Sequence, residues 1–501
     1  MSQTDKSIAV FDVGKTNKKL IVFNGRLEQV DSAYHTFEEY QEDGVYIEAV
    51  QEAVEWLRVS LREMASRHDI GAISISTHGA AFACVDAAGR LALPVLSYTT
   101  DPGQEFRERF SAEFGDPITL QRETKTPDMV GLGCMAKGIR FVQERWPEAF
   151  KKTTTILALP QYYGFVLTGK KAIEPTSIGC HTAFWDFEKS DWSPVINRLG
   201  VRALLPESIS RPWDILGTIT PDVARWTGLS KETIVTVGIH DSNAALLPYL
   251  IKMTGRFVVN STGTVSVFMS PTQDTTLTDE ELGKIVYYKL SAFSSPVKTA
   301  IFLGGMEFDT YLGLLTAVHG ARPHPALDTD LVEEILTRRR CFILPSFIPF
   351  GMFPNSPARI VEGDTVIPLG DLFGGKHPDF FKDYKKAYTI LVLSVALQAE
   401  VALRAVGLED GIRLYIEGGF AKNEIYKNLV ASLFPGSETA TTSLSEATAF
   451  GAALMGKAAL AGTDPHGLAD LFEIEARQVP ARKLTGLQEY RAEFLRLVQG
   501  T

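Results

Sequence analysis

The sequence predicts an α/β fold built as two similar halves, and three observations carry that prediction. Short β-branched runs alternate with amphipathic helical stretches along the chain. A strand, a turn containing Gly and Thr, and a second strand occur once in each half, as IAVFDVGKTN (Ile8–Asn17) and FVVNSTGTVS (Phe257–Ser266). Their glycines, Gly14 and Gly263, lie about half a chain length apart, the pattern of a duplicated unit whose copies face each other. Several strands also run out into glycine or an acid, the end at which α/β folds gather ligands.

The elements follow in order. Ile8–Asp12 and Lys19–Phe23 read as strands around the Val13–Asn17 turn. Val45–Arg67 carries apolar residues at helical period (Val50, Val54, Leu57, Leu61, Met64) ahead of a strand at Ile70–Thr77. Further strands are expected at Ile156–Leu159, Val235–Ile239, Phe257–Asn260, Val265–Met269, Thr299–Leu303, Phe342–Leu344 and Leu414–Glu417. Helices are expected at Asp128–Arg145, Phe380–Val406, Glu424–Ala431 and Ser445–Leu460.

Composition narrows the function. Fifty basic against sixty acidic residues give a net charge of −10, which repels polyanions and argues against a nucleic-acid partner. With 45% hydrophobic and 22% charged residues the chain is globular, and 501 residues suggest two to four domains. The four cysteines form no CxxC and no Cys/His cluster at zinc spacing, so they read as small buried hydrophobes in a reducing compartment. No basic region followed by an apolar stretch opens the sequence, so no signal peptide is expected. The most apolar window, Tyr388–Val406, contains Gln398, Glu400 and Arg404 and reads as a buried helix, not a membrane span. A soluble, cytoplasmic protein is expected.

Three segments can do chemistry. Glycine in the two Gly-Thr turns lets backbone N–H groups approach a ligand, a donor set suited to phosphate oxygens. Asp12, just ahead of the first turn, can hold a magnesium ion against a polyphosphate. Either turn taken alone could equally be a hairpin with a polar loop. Asp241 follows a β-branched run ending at Gly238, where a strand gives way to a small-residue helix; it is a ligand-end acid or that helix's N-cap. Gly418–Gly419, after the strand at Leu414–Glu417, could seat a flat ligand such as adenine, or could simply be a tight connection. Small residues at Ala447, Ala449, Gly451, Ala452 and Ala453 permit close backbone packing of the last long helix.

In this order, these segments resemble the FGGY carbohydrate kinases. The resemblance runs from Ile8 to about Ala461 and includes Ser76–Gly79, Ala158–Tyr163 with Leu167–Gly169, and Glu174–Ser177 followed by Phe184–Asp186. It implies a two-domain actin-like (ribonuclease H-like) ATPase fold with an interdomain cleft. Its domains would be 1–245 (sugar side and first phosphate motif), 246–475 (second phosphate and adenosine motifs) and a tail helix at 476–501. It implies an ATP-dependent sugar kinase using ATP and Mg2+, with Asp241 as catalytic base and Asp12 at the metal. Asp12, Gly14, Lys15 and Thr16 match the first phosphate motif, and Thr262, Gly263 and Thr264 the second. Gly418, Gly419 and Asn423 match the adenosine motif. His78, Tyr98, Asp101, His240 and Asp241 fall on the sugar side, and Gln161 lies where many members carry an acid. Lys15 departs from the family's Thr or Ser, and could pair with the transferred phosphate or point to solvent. Phe82 or Trp185 could wall a sugar methyl group.

HDSNA (His240–Ala244) is most similar to the rhamnulokinase and fuculokinase branch, implying a ketose such as L-fuculose, L-rhamnulose or a pentulose. The partners implied are the sugar and ATP, with neither nucleic acid nor membrane, and a homodimer as in many members. Another sugar or polyol as acceptor is the nearest alternative, and a non-catalytic regulator or chaperone-type ATPase on the same core is a second. No G-x-G-x-x-G follows the first strand, which argues against an NAD enzyme.

Overall fold

The computed structural model describes residues 3–15, 17–442, 444 and 446–499, so Thr16 and the expected helix start at Ser445 lie outside the described residues. Two mixed sheets organise the chain. In the first, the central strand Ser7–Val13 pairs antiparallel with Asn17–Phe23, which pairs antiparallel with Gln29–Thr36. On its other side it runs parallel to Ile70–Thr77, followed by Ile234–Thr236 and the edge strand Ile215–Thr218. In the second, Phe257–Thr262 pairs antiparallel with Ser266–Pro271, and that strand with Pro296–Phe302. On the other side lie the parallel strands Arg413–Gly418 and Glu438–Thr442. The two strand-turn-strand segments thus hold the same place in two sheets of one plan, as a duplicated actin-like fold requires. An extra edge strand, Val286–Leu290, extends the second sheet beyond Pro296–Phe302.

Burial on both faces explains why Ile8–Val13 is an almost unbroken apolar run instead of an alternating one. Ala9, Phe11 and Val13 join Leu57, Leu61 and Met64 of the helix Val50–Ala65, while Ile8 and Val10 meet Ala449, Ala452 and Ala453 on the opposite side. The latter belong to the helix Ala447–Ala461, which crosses the helix Asp241–Lys252 at backbone contact. A Cβ on Gly451 would lie 1.9 Å from the Ala244 carbonyl oxygen, so the small-residue stripe brings two main chains together. The long apolar helix Tyr384–Ala405 forms the core of the second lobe, with 89% of its most apolar window buried.

Several expected boundaries shift for local reasons. Val45–Ile47 is a strand, and the helix begins only at Val50. The helix expected from Asp128 begins at Met135, because Gly131 adopts a left-handed φ of +59°. The strand expected at Val235–Ile239 is broken by Gly238 at φ +97° into Ile234–Thr236 and Ile239–His240. Residues 476–478 form a strand on Glu438–Thr442, and the helix Leu487–Gln499 packs through Tyr490 and Phe494 into the second lobe's core.

Candidate active site

The central strand of the first sheet delivers Asp12. Its cross-strand partner is Lys19, whose Nζ lies 4.0 Å from Asp12 Oδ2 and 2.5 Å from Glu446 Oε2. Glu446 is the N-cap residue of the helix Ala447–Ala461, so this ion pair ties the start of that helix to the first sheet's hairpin. Burial pushes the Asp12 carboxyl up to about 7; Lys19 opposes the rise, and Asp241 and Glu446 add to it. A buried carboxylate facing two others has reason to share a cation.

The adjoining parallel strand, Ile70–Thr77, leads to His78 and Gly79 and pairs at its end with Ile239–His240. Asp241 is the first residue of the next helix, not its N-cap: that place belongs to His240. Asp241 Oδ1 accepts the N–H of Ser242 at 2.5 Å and lies 3.4 Å from His240 Nε2. Burial pushes this carboxyl up to about 6, against the Ser242 N–H and the Lys289 ammonium. The His240 ring lies directly over Gly79, where a Cβ would come within 2.7 Å of Nε2. Burial holds His240 well below its usual range, with Lys289, His181 and His78 adding to the effect, so the ring is neutral.

Lys15 turns to protein partners and not to open solvent. Its ammonium pairs with Glu39 and with Glu48 at 2.6 Å, donates to Ser97 Oγ at 2.6 Å, and lies 4.5 Å from the centroid of the Tyr98 ring. Glu48 Oε1 is in turn 3.7 Å from His78 Nε2. Lys15 therefore belongs to a polar wall with Glu48, His78 and Tyr98. Burial raises the Tyr98 phenol, and the charges of Asp241 and Glu48 both add to that. Asp101 is not drawn in: it is exposed and pairs with Arg107 at 2.7 Å. Gln161 is wholly buried, its amide 3.3 Å from the Val237 carbonyl. Phe82 and Trp185 pack in an aromatic core with Phe106 and Phe184.

In the second lobe, Gly263 and Thr264 form the turn after Phe257–Thr262. The helix Gly304–His319 abuts it so closely that a Cβ on Gly305 would lie 2.1 Å from the Gly263 carbonyl oxygen. A helix N-terminus beside a glycine turn favours an anion. The Thr262 hydroxyl is committed to the fold, donating to the Glu417 carbonyl and accepting the Phe420 N–H at 3.0 Å. The glycine pair divides its labour. Gly418 has φ +80° and no room for a Cβ, which would lie 2.0 Å from the Thr262 carbonyl oxygen, whereas the nearest atom to a Cβ on Gly419 is 3.9 Å away. Asn423 caps the helix Glu424–Leu433 through the N–H groups of Ile425 and Tyr426 and donates to Tyr388 Oη at 2.9 Å.

Sequence reading missed Lys19, Glu48, Glu446, Ser242, Tyr287 and Lys289. The hairpin register alone, which sets Lys19 opposite Asp12, could have revealed Lys19. Three of the four cysteines are buried, as expected, and one of them meets two histidines that spacing along the chain did not connect to it. Cys180 and His181 meet His240, with their ligand atoms within 4.8 Å of one another. Burial pushes the Cys180 thiol up to about 12, and the neighbouring Lys289 opposes that rise.

Residues 7–248 match the FGGY family of carbohydrate kinases, N-terminal domain, and residues 254–465 match the carbohydrate kinase FGGY C-terminal domain. The crystal structure of a carbohydrate kinase from Novosphingobium aromaticivorans superposes with a TM-score of 0.81 at 26% identity, covering 100% of both chains. The xylulose kinase of Bacillus subtilis (strain 168) is 29% identical over 163 residues, 32% of each chain. A rhamnulokinase of Halalkalibacterium halodurans is 29% identical over 106 residues, 21% of this chain and 22% of that one. The chain therefore matches a third or less of the length of these two curated relatives. The two domain matches, in order and over a duplicated two-lobed fold, show that the chain belongs to the FGGY family of carbohydrate kinases, phosphotransferases with an alcohol acceptor.

Proposed function

We propose that the protein transfers the γ-phosphoryl group of ATP to a hydroxyl of a ketose, with Asp241 as the general base. The observation that carries this reading is the approach of two carboxylates: the half-buried Asp241 at a strand end, and the buried Asp12 beside the first glycine turn and near enough to Asp241 to be raised by it. Asp241 removes the proton of the sugar hydroxyl as that oxygen bonds to the γ-phosphorus and the bond to the ADP oxygen breaks. A positioned base supplies about 10²–10⁴-fold, so the remaining acceleration comes from positioning and charge. The glycine turns at Gly14 and Gly263 offer backbone N–H groups to the phosphates, and the open face of Gly419 accommodates the adenosine.

Asp12, with Glu446 at its side, would hold Mg2+. The fit is supported by a carboxyl that burial pushes up to about 7, with the neighbouring Asp241 and Glu446 adding to the rise. The ion, when bound, neutralises charge on the phosphates. Glu48, His78 and Tyr98 form the wall that would receive the sugar's hydroxyls. L-fuculose, L-rhamnulose and pentuloses are the first candidates, because the His240–Ala244 segment resembles that branch and one relative is named a rhamnulokinase.

The test is a coupled ADP assay across ketoses, aldoses and polyols with wild type and Asp241→Asn. Sugar-dependent turnover should fall at least 100-fold in the variant, while ATP affinity stays within a few-fold. More than a tenth of wild-type turnover in Asp241→Asn would remove Asp241 as the base. Failure of every ketose would remove the substrate class.

A further inference from the structure

Lys289 is fully buried, yet among the described residues no carboxylate lies within ion-pair distance of its ammonium. A charge held this way costs on the order of several kcal/mol unless dipoles compensate for it. The compensation lies in the other lobe. Lys289 belongs to the edge strand Val286–Leu290 of the second sheet, and its Nζ donates to Ser242 Oγ, in the first turn of the helix that carries Asp241, at 2.7 Å. Nζ also lies 3.1 Å from Met269 Sδ.

Alternation along a strand explains how one segment reaches this place twice. Tyr287 and Lys289 share a face. Tyr287 Oη lies 3.4 Å from His181 Nε2 while Lys289 meets Ser242, and the intervening Tyr288 turns away to donate to the Thr276 carbonyl at 2.8 Å. The strand is seated on the first lobe by the Gln121 amide, which donates to the carbonyls of Lys284 at 3.0 Å and Val286 at 2.9 Å.

The chain of contacts continues to the base. Because Lys289 donates to Ser242 Oγ, the serine hydroxyl hydrogen is free to point at His240 Nδ1, 3.0 Å away. The Asn243 amide approaches the same nitrogen at 3.4 Å. With Nδ1 accepting, the single ring proton of the neutral imidazole sits on Nε2, which lies 3.4 Å from Asp241 Oδ1 and 3.9 Å from Cys180 Sγ. We infer that Lys289 is a positioning residue: it holds Ser242, whose N–H donates to Asp241 Oδ1 at 2.5 Å and whose hydroxyl sets the tautomer of the adjacent His240, and so orients the Asp241 carboxylate, making a competent base depend on the docking of the two lobes. This inference rests on the reading of Asp241 as the base.

The test is steady-state kinetics with both substrates on Lys289→Met, Ser242→Ala, the double variant, Ser242→Thr and Asp241→Asn, each first shown by circular dichroism to be folded. Lys289→Met and Ser242→Ala should each lower kcat about ten-fold or more, part of the ~10²–10⁴-fold that a positioned base provides, with both KM values within about three-fold. The double variant should lose no more than about two-fold beyond either single change, because the two residues act as one unit. Ser242→Thr, which keeps the hydroxyl, should recover at least about a third of wild-type kcat. If Lys289→Met does not fold, Ser242→Ala, which removes one oxygen, carries the test with Ser242→Thr. A raised sugar KM at unchanged kcat in Lys289→Met would make it a substrate contact and overturn the inference, as would multiplicative losses in the double variant. Wild-type kcat in both single variants with an inactive Asp241→Asn would overturn the relay but leave the base. An active Asp241→Asn would overturn the base itself.

Discussion

The glycine pair after the strand Arg413–Gly418 offers a sharp separation of fold from ligand. Gly418 sits at φ +80° and ψ −151°, a region that side chains avoid at a cost of about 1–3 kcal/mol. A Cβ there would also lie 2.0 Å from the Thr262 carbonyl oxygen, on the residue paired with Gly418 in the parallel ladder. Relief requires opening that last rung, about 1 kcal/mol more. Gly418→Ala should therefore cost about 2–4 kcal/mol and lower the melting temperature by about 5–15 °C, at ~2–4 °C per kcal/mol for a lobe of this size. Gly419→Ala meets nothing closer than 3.9 Å and should stay within about 0.5 kcal/mol of wild type. Gly419→Arg should melt normally yet raise the KM for ATP about ten-fold or more, because the new side chain occupies the open face. Thermal denaturation followed by circular dichroism and the coupled ADP assay read the two effects separately. A Gly418→Ala protein melting within about 2 °C of wild type, or an unchanged KM for ATP in Gly419→Arg, would refute this division of roles.

Two further expectations concern the junction between the lobes. The Asp241 carboxyl is pushed up to about 6 and must be ionised to accept a proton, so kcat/KM should fall as pH drops through 6, to about a tenth of its plateau at pH 5; a flat profile from pH 5 to 7 would contradict this. Gly451→Val places side-chain carbon against the Ala244 carbonyl and should destabilise the protein by about 3 kcal/mol or more, whereas Gly313→Ala, with nothing within 4 Å of its Cβ, should stabilise it by about 0.4–1 kcal/mol; equal melting temperatures for the two would refute the close helix crossing.

Local pattern made the two central hairpins legible, because an apolar run bounded by a Gly-Thr turn has few other ways to fold. It also located Asp12 and Asp241, which stand at strand ends that the sequence marks with glycine or acid. Lys15 was visible but its direction was not: its partners Glu39, Glu48 and Ser97 come from segments distant in the chain. Asp101 shows the opposite failure, a residue expected at the sugar that the fold leaves paired with Arg107. Lys289 could not be found, since VYYKL mixes polar and aromatic residues without alternation and its strand was not recognised. The Cys180–His181–His240 meeting was equally hidden, because spacing along the chain says nothing about residues gathered by a sheet.

The edge strand Val286–Leu290 has a consequence for how such a protein can change over generations. It is continuous with the second half of the chain, but what it touches around His181 and Ser242 belongs to the first. Exchanging either half for that of a relative would separate Lys289 from the serine it was matched to, even if both sheets folded perfectly. Recombination at the midpoint therefore carries a hidden penalty, and a productive chimera would have to move this five-residue strand together with the half it serves, not the half it belongs to.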